Sequence, residues 1–362
     1  MSLIFDLPPF RPRFPWWGGD LQTVANRLRP TRTSLAPHIS ERLSFPLKDG
    51  TGDTLLATLD RPTEPRAGTP LVLLIHGLTG SEDSHYIWSM SWLMLERGHR
   101  VLRLNLRGAG PSRALCSEHY FAGRSQDFRA LLALLPEDLT RDGLVAVGYS
   151  LGGAMLLKYL GEEGAASPLK AAATVCAPID LAITCRNMMR PRNRLYHHHI
   201  LTQMKIEATG QGAVLSAAER SAVLGSRTVW EYDDFFIAPH YGFGSSENYY
   251  ERCKPLRFMA DIRVPTLALA AGDDPWIPEA LYRGYDWAGN KALVPLLPGA
   301  GGHVGFHGAG SDQPWSDVAI ARFFDHGCDR ADDSDRGRCL FSRRSRTGMA
   351  RLSQRVGRAG GA

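Results

Sequence analysis

The stretch from residue 144 to residue 160 constrains the fold of this chain more than any other. Residues 144–147, Leu-Val-Ala-Val, form the short apolar run that is typical of a buried parallel strand. Residues 155–160 then follow helical spacing until Gly161. Ser150 therefore lies at a strand-to-helix corner, where Gly148 and Gly152 let the chain pass closely on either side. Such a Gly-x-Ser-x-Gly pattern can present a serine hydroxyl above a sheet, although the pentapeptide alone fits a helix-capping serine equally well.

Composition predicts an ordinary soluble globular protein. Hydrophobic residues make up 44% of the chain and charged residues 22%, as in typical globular domains. No apolar run approaches the roughly 20 residues that a membrane helix needs. Prolines interrupt the N-terminus where a signal peptide has an apolar core, so a cytoplasmic location is expected. The six cysteines form no C-x-x-C pair, which favours free thiols over structural zinc.

The positive charge is confined to one end of the chain. Residues 327–362 contain nine arginines and four aspartates, which account for the whole formal net charge of +5. The body of the chain is formally neutral, so no nucleic-acid partner is predicted. Residues 327–362 are poor in apolar residues and lack period, which predicts a disordered, solvated tail. A solvated tail is favoured over one that contacts anionic lipid or nucleic acid. The sequence therefore allows at most a weak contact with a membrane surface.

Taken in order, the chain alternates strands and helices around one sheet. Residues 1–40 include Trp16-Trp17 and are expected to pack onto the core, because adjacent tryptophans avoid water. Residues 41–59 read as an antiparallel hairpin at a sheet edge, turning at Asp49-Gly-Thr-Gly52. Buried strands are predicted at 71–75, 101–106, 144–147, 171–176, 265–271 and 292–297, with helices between them and a closing helix at 316–324. This pattern specifies an α/β fold, a mostly parallel twisted sheet with helices on both faces.

The alternation stops between residues 181 and 250. This polar, helix-like interval separates the first part of the core, residues 41–180, from the second part, residues 251–326. Because it follows a core strand, it is expected at the active end of the sheet as a helical cap that shapes a substrate cleft. Its triplet His197-His198-His199 is predicted to be solvated, because adjacent histidines cannot all point towards one metal ion.

Two later loops carry the residue types that acyl transfer requires. Asp274 follows the predicted strand 265–271, and His303 follows the predicted strand 292–297. A serine hydroxyl needs an imidazole to take its proton and a carboxylate to orient that imidazole, and the order Ser150, Asp274, His303 fits this fold. Asp274 is preferred because Pro275 restricts it to an extended geometry. Asp273 and Asp180 remain alternatives for the acid.

The remaining parts of the predicted site are donors for an oxyanion. The N–H of Leu151 directly follows the candidate nucleophile. The second donor is assigned to Leu78 in the loop His76-Gly-Leu-Thr-Gly80, where small residues allow close backbone approach. His307, four residues after His303, competes weakly for the role of base. No metal or organic cofactor is required by this chemistry.

The assembled motifs resemble those of the α/β-hydrolases, and more narrowly the AB hydrolase-4 family of esterases and lipases. The resemblance covers residues 10–326. It rests on Gly18-Gly-Asp-Leu-Gln-Thr23, the loop 76–80, Asn105-Leu-Arg-Gly108, Gly148-Tyr-Ser-Leu-Gly152, Tyr232-Asp-Asp-Phe235, Asn248-Tyr-Tyr250, Asp273-Asp-Pro275 and Gly301-Gly-His-Val-Gly-Phe306. The chain departs from the family pattern in two places: Asp20 stands where a histidine is usual, and Ala109-Gly-Pro111 replaces Cys-Gly-Gly.

The resemblance implies a serine hydrolase acting on carboxylic esters, including medium-chain fatty esters and lipids. It implies the nucleophile at Ser150, the acid at Asp274 and the base at His303. The partner is then a small ester or lipid-like molecule. An acyltransferase that uses the same triad is the nearest alternative, and a non-catalytic binding protein that has kept the fold is a more distant one.

Overall fold

A computed structural model describes residues 7–29 and 34–331 and contains one eight-stranded sheet. The strands are β1 (Ile39–Pro46), β2 (Thr54–Arg61), β3 (Leu71–Ile75), β4 (Val101–Leu104), β5 (Leu144–Tyr149), β6 (Leu169–Val175), β7 (Thr266–Leu269) and β8 (Leu293–Leu296). They lie in the order β1-β2-β4-β3-β5-β6-β7-β8. β2 is antiparallel to both of its neighbours, and the remaining pairs are parallel. The predicted α/β class and the edge hairpin are therefore confirmed.

Helices connect the strands and cover both faces of the sheet. They are α1 (Gly19–Leu28), α2 (His85–Glu96), α3 (Gln126–Leu134), α4 (Glu137–Thr140), α5 (Leu151–Glu163), α6 (Leu181–Met188), α7 (Arg194–Ala208), α8 (Ala217–Gly225), α9 (Val229–Tyr232), α10 (Ala238–His240), α11 (Ser246–Cys253), α12 (Glu279–Arg283) and α13 (Trp315–Ala331). A π-helical turn, Asp233–Ile237, joins α9 to α10. Among these residues, no helix combines the length and the hydropathy needed to cross a bilayer.

Two apolar cores lie on opposite faces of the sheet because successive strand residues point to opposite sides. In β3, Leu73 packs with Phe128 of α3 and Leu157 of α5 on one face. Val72 packs with Met90 of α2 and Ile320 of α13 on the other face. These strands are buried on both sides, which explains their continuous apolar runs.

The cap segment, residues 181–250, lies between β6 and β7 in the chain. It contains α6 to α10 and the first part of α11. A third apolar cluster, which includes Met204, Val223, Phe236 and Tyr250, holds these helices together. Leu78, in the loop after β3, and Leu151, the first residue of α5, also pack against this cluster. The cap segment therefore lies over the carboxyl ends of the central strands.

The end of the last helix differs from the sequence-based expectation. Helix α13 runs to Ala331, so residues 327–331 are helical and are not part of a disordered tail. No proline interrupts the turns that follow Phe324, and the helix continues from its buried, apolar start. Residues 332–362 of the predicted tail lie outside the described residues, as do residues 1–6 and 30–33 of the N-terminal extension.

The N-terminal extension contacts the core through α1 and through Phe10, whose ring contacts Phe306 and Trp315, rather than through both tryptophans. Trp17 is 61% exposed, contrary to the expectation that adjacent tryptophans would be buried together. Gln22, Ala25 and Asn26 of α1 are buried instead. Polar side chains thus form much of this interface, which an argument from apolar residues alone could not anticipate.

Candidate active site

Ser150 occupies a strained corner between β5 and α5. Its backbone has φ 49° and ψ −121°, a region that non-glycine residues rarely adopt. A Cβ atom at Gly148 would lie 2.7 Å from the carbonyl oxygen of Gly152, and one at Gly152 would collide with the carbonyl oxygen of His76. Both glycines are therefore required by close backbone approach, as the sequence pattern predicts. The corner leaves the serine half-exposed at the floor of a cleft.

The structure brings Ser150, His303 and Asp274 into one hydrogen-bond chain. His303 Nδ1 lies 2.8 Å from Asp274 Oδ2, and His303 Nε2 lies 2.9 Å from Ser150 Oγ. Because a carboxylate only accepts, Nδ1 carries the proton and donates it to Asp274. Nε2 is then free to accept a hydrogen bond from the serine hydroxyl. This is the geometry in which an imidazole can remove the serine proton.

The three candidate aspartates have separate contacts. Asp274 Oδ1 accepts hydrogen bonds from the backbone N–H groups of Trp276 (2.8 Å) and Ile277 (3.0 Å), which fix its carboxylate against His303. Asp273 Oδ1 instead accepts from the N–H of Gly302 at 2.8 Å, and burial raises the pKa of this carboxyl. Asp180 caps α6 by accepting from Ile183 N at 2.9 Å. The structure thus places only Asp274, of these three, against the imidazole.

His307 lies away from Ser150 and contacts the N-terminal extension. Its Nε2 is 2.6 Å from Asn26 Oδ1, and its Nδ1 is 2.5 Å from the guanidinium of Arg29. Burial, followed by the nearby positive charge of Arg29, lowers the pKa of His307 to about 4. His307 therefore stays neutral and structural at physiological pH.

Helix α1 holds the loop that carries His303. Thr23 Oγ1 accepts the backbone N–H of His303 at 2.8 Å, and Asn26 Nδ2 donates to the carbonyl of Val304 at 2.9 Å. The side-chain amide of Gln22 exchanges hydrogen bonds with the backbone N–H (2.7 Å) and carbonyl (3.1 Å) of His307. Sequence reasoning missed these residues as part of the site. The sequence signal for these residues is the Gly-Gly-Asp-Leu-Gln-Thr run, which indicates a family resemblance but not a contact with the histidine loop.

The predicted oxyanion donors lie where the loop after β3 meets the elbow. Leu78 and Leu151 both line the cleft beside Ser150. Neither backbone N–H donates a hydrogen bond within the part of the chain that the structure describes. The Leu78 loop is fixed on both sides, because Gly77 N donates to Tyr86 OH (2.9 Å) and Thr79 N donates to Tyr120 OH (2.7 Å). The arrangement leaves two rigid donors available, and their role as an oxyanion hole stays a prediction.

The cleft above Ser150 is largely apolar. Its empty volume is about 980 Å³, including space that is open to solvent. Cap-segment side chains supply most of its wall, among them Leu181, Met188, Ile200, Met204, Val229 and Ile237. On the core side, the Trp276 ring lies over His303 with the ring centroids 4.0 Å apart. The wall excludes water from one side of the imidazole and offers an apolar surface to a ligand.

Two carboxyl groups interrupt the apolar wall. Glu207 accepts a hydrogen bond from Tyr120 OH at 2.9 Å, and Asp233 accepts one from Tyr250 OH at 2.6 Å. Burial raises the pKa of Glu207 to about 7 and that of Asp233 to about 7. Both groups are therefore partly protonated near neutral pH. Through Tyr120, Glu207 is also linked to the loop that carries Leu78.

One cluster has the composition of a metal site but is organised by hydrogen bonds. Single donor atoms of Cys176, Asp274 and His303 lie within 4.8 Å of one another. The Cys176 thiol donates to Gly302 O at 3.6 Å, and burial raises its pKa well above the usual value. A neutral thiol is a poor metal ligand. Both imidazole nitrogens of His303 are already hydrogen-bonded, one to Asp274 and the other to Ser150. This donor set does not fit a metal ion.

The three consecutive histidines of the cap segment do not converge. His197 Nε2 accepts the backbone N–H of Val229 at 3.0 Å, whereas His199 Nε2 contacts the Arg27 guanidinium at 2.6 Å. His198 is exposed. The three side chains thus point in different directions, and only His198 is exposed, whereas the sequence predicted that all three would be solvated.

Comparison with known protein sequences identifies the relatives of this chain. A sequence model described as alpha/beta hydrolase fold matches residues 70–308. Phospholipase ABHD3 of Mus musculus is 28% identical over 239 residues, covering 66% of this chain and 58% of the phospholipase. This chain thus matches less than two thirds of that protein's length. YheT of Escherichia coli (strain K12) is 29% identical over 302 residues, covering 80% of this chain and 84% of YheT.

A yeast enzyme and a solved structure extend the comparison. Medium-chain fatty acid ethyl ester synthase/esterase 2 of Saccharomyces cerevisiae is 29% identical over 281 residues, covering 70% of this chain and 62% of that enzyme. The esterase Pf2001 of Pyrococcus furiosus has a similar fold, with a TM-score of 0.55 at 13% identity. That match covers 89% of this chain and 98% of Pf2001, and at this identity it bears on the fold alone.

Proposed function

Because this chain belongs to the alpha/beta hydrolase family, we propose that it is a serine hydrolase that cleaves carboxylic esters through an acyl-enzyme. The observation that carries the proposal is the hydrogen-bond chain from Ser150 through His303 to Asp274 at the floor of an apolar cleft. These hydrogen bonds place a base beside the nucleophilic hydroxyl, and the cleft has room for an acyl group.

In the proposed reaction, Ser150 Oγ attacks the ester carbonyl while His303 Nε2 takes the hydroxyl proton. Asp274 holds the imidazole in this tautomer and stabilises the imidazolium that forms. The N–H groups of Leu78 and Leu151 donate to the oxyanion of the tetrahedral intermediate. The intermediate expels the alcohol, which receives its proton from His303. Water then attacks the acyl-enzyme by the same steps and releases the acid.

The acyl group is proposed to be a fatty chain of short to medium length or a lipid-like group. The side chains of Met188, Ile200 and Met204 offer it an apolar wall, and about 0.8 kcal/mol is gained for each methylene that leaves water. The names of two relatives support this substrate class. One is called a phospholipase and another a medium-chain fatty acid ethyl ester synthase/esterase.

Transfer of the acyl group to an alcohol is the second candidate function. The yeast relative is named both synthase and esterase, which supports an acyl-enzyme that an alcohol can also attack. An alcohol bound where the leaving group departs would compete with water for the same carbonyl carbon. The triad would act identically, so the two functions differ only in the acceptor.

A panel of p-nitrophenyl esters from acetate to palmitate tests the proposal. We expect hydrolysis that is lost in Ser150→Ala, and Ile200→Trp should narrow the cleft and reduce kcat/KM about tenfold for long chains only. Thr202→Trp, which points to solvent on the same helix, is the matched control. Residual hydrolysis in Ser150→Ala would overturn the proposal. Ethyl ester formed when ethanol is added would identify acyl transfer.

A further inference from the structure

Large apolar side chains are exposed on α1 and on the segment just before it. Phe14 is 71% exposed, Trp17 61% and Leu28 67%, and Leu21 is also exposed. Leu195, at the start of α7, is 83% exposed. The rings of Phe14 and Trp17 contact each other, with centroids 5.3 Å apart. Single exposed apolar residues are ordinary, whereas a contiguous group of them marks an interaction site.

Side-chain contacts show that α1 and α7 lie side by side. Asp20 of α1 contacts Arg192 (2.9 Å), in the turn before α7, and Tyr196 (3.1 Å). Arg27, seven residues further along α1, contacts His199 at 2.6 Å. Asp20 and Arg27 therefore mark the edge of α1 that faces α7. Asp20, which stands where the family usually has histidine, contributes two of these three contacts.

The exposed apolar residues point outward beside that edge. Leu21 and Leu28 follow Asp20 and Arg27 by one residue, which places them about 100° further round the helix. Both side chains are exposed, although they lie four and three residues from buried Ala25 and therefore flank the buried side of α1, which carries Gln22, Ala25 and Asn26. Leu195 precedes Tyr196 and is turned away from the buried side of α7, which carries Ile200 and Met204. We call the surface formed by Trp17, Leu21, Leu28 and Leu195 the α1–α7 face.

Positive charge predominates around the α1–α7 face, where one of the arginines, Arg192, is paired with Asp20. Residues 181–206 contain four arginines and one lysine and no acidic residue, although residues 1–326 as a whole are formally neutral. Arg190, Arg192 and Arg194 are exposed close to Leu195. Exposed tryptophan and leucine among arginines is the composition of segments that lie in the interface of an anionic bilayer.

The same two helices reach the candidate active site. Thr23 of α1 accepts the backbone N–H of His303. Tyr196 of α7 contacts Trp276, with ring centroids 5.6 Å apart, and Trp276 lines the cleft. A surface bound through these helices would therefore lie next to the elements that build the cleft.

We propose that the α1–α7 face docks onto a bilayer surface that contains anionic phospholipid. Trp17, Leu21, Leu28 and Leu195 enter the interfacial layer, and the arginines around them contact phosphate and carboxylate groups of the lipids. The docking rests on these exposed residues and not on the proposed reaction, so either can fail without the other. Its consequence for the hydrolase is access to substrate that is dissolved in the membrane.

Vesicle co-sedimentation of the full chain tests this docking. The patch variant carries Trp17→Ser, Leu21→Ser and Leu195→Ser. The control variant carries Phe235→Ser, Ile39→Ser and Leu115→Ser, which replace one aromatic and two aliphatic exposed residues elsewhere. Each protein is mixed with vesicles of phosphatidylcholine alone, or of phosphatidylcholine with phosphatidylserine. Melting temperature verifies that every variant is folded, and p-nitrophenyl acetate hydrolysis provides a second check for the patch and control variants.

We expect the wild-type chain and the control variant to bind the phosphatidylserine vesicles more tightly than phosphatidylcholine alone, and less tightly as salt is added. The patch variant should bind about tenfold more weakly. Ser150→Ala should bind like wild type, because docking needs no hydrolysis. Equal binding by wild type and patch variant would overturn the proposal. A dimer in sedimentation velocity that only the patch variant loses would also overturn it.

Discussion

Glu207 carries a carboxyl group that the cleft wall largely removes from water. Burial raises its pKa from 4.5 to about 7, and the hydrogen bond from Tyr120 only partly opposes this shift. Between these two pH values the folded chain keeps a proton that the unfolded chain has released. Each rise in pH across this window therefore favours the unfolded chain. Above pH 7 both states are ionised, and the lost stability stays constant.

Replacing Glu207 by glutamine should flatten the dependence of stability on pH. The amide oxygen can still accept from Tyr120 OH but cannot ionise. Between pH 5 and pH 8 the free energy of unfolding should fall less in Glu207→Gln than in wild type. The difference between the two decreases should be on the order of 3 kcal/mol. Urea denaturation at both pH values measures the difference, with the exposed Glu247→Gln as control. Parallel pH profiles for wild type and Glu207→Gln would contradict this account of the carboxyl.

Helix α1 acts as a brace for the loop that carries His303. Its Thr23 hydroxyl accepts the backbone N–H of His303, and its Asn26 amide binds the carbonyl of the next residue. The partners are 280 and 278 residues apart in the chain. No local pattern of hydrophobicity or turn residues encodes such a pairing, so the sequence predicted only that the N-terminal extension packs on the core. Its polar contacts with the site required the structure.

Removing the Thr23 hydroxyl should impair turnover more than substrate binding. Thr23→Val keeps the shape of the side chain but leaves the His303 N–H without an acceptor. A loosened imidazole is expected to lower kcat about tenfold with KM little changed. Steady-state kinetics on a soluble p-nitrophenyl ester measures both constants. Thr23→Ser should restore kcat, and Thr202→Val serves as the exposed control. A rise in KM alone would show that Thr23 acts on the cleft and not on the histidine loop.

Among the elements, the core strands were the most predictable from sequence. Leu71–Ile75 is a strand with the predicted bounds, and the elbow strand, β5, begins at Leu144 as predicted. Their apolar runs reflect burial on both faces, which is a local property. The glycines at 148 and 152 report a close backbone approach that only glycine permits. By contrast, packing among the helices of the cap segment determines which of its side chains line the cleft. These residues could therefore not be predicted from the sequence.

At the scale of the whole molecule, the chain joins three distant segments at one point. The core supplies Ser150 and the loops of Asp274 and His303, the N-terminal helix holds the histidine loop, and the cap segment closes an apolar cleft above them. The predicted order of nucleophile, acid and base anticipated the first of these contributions. The other two, and the α1–α7 face, depend on how separate elements pack. These contributions can therefore be identified only from the three-dimensional structure.

Ser150 is the proposed nucleophile, on which the whole proposed reaction depends. Intact-mass measurement after reaction with a fluorophosphonate probe tests this role most directly. We expect one adduct that maps to Ser150, none in Ser150→Ala, normal labelling in the exposed control Ser44→Ala, and labelling about a thousandfold slower in His303→Gln. An adduct that persists in Ser150→Ala, or folded wild-type protein that is never labelled, would contradict it.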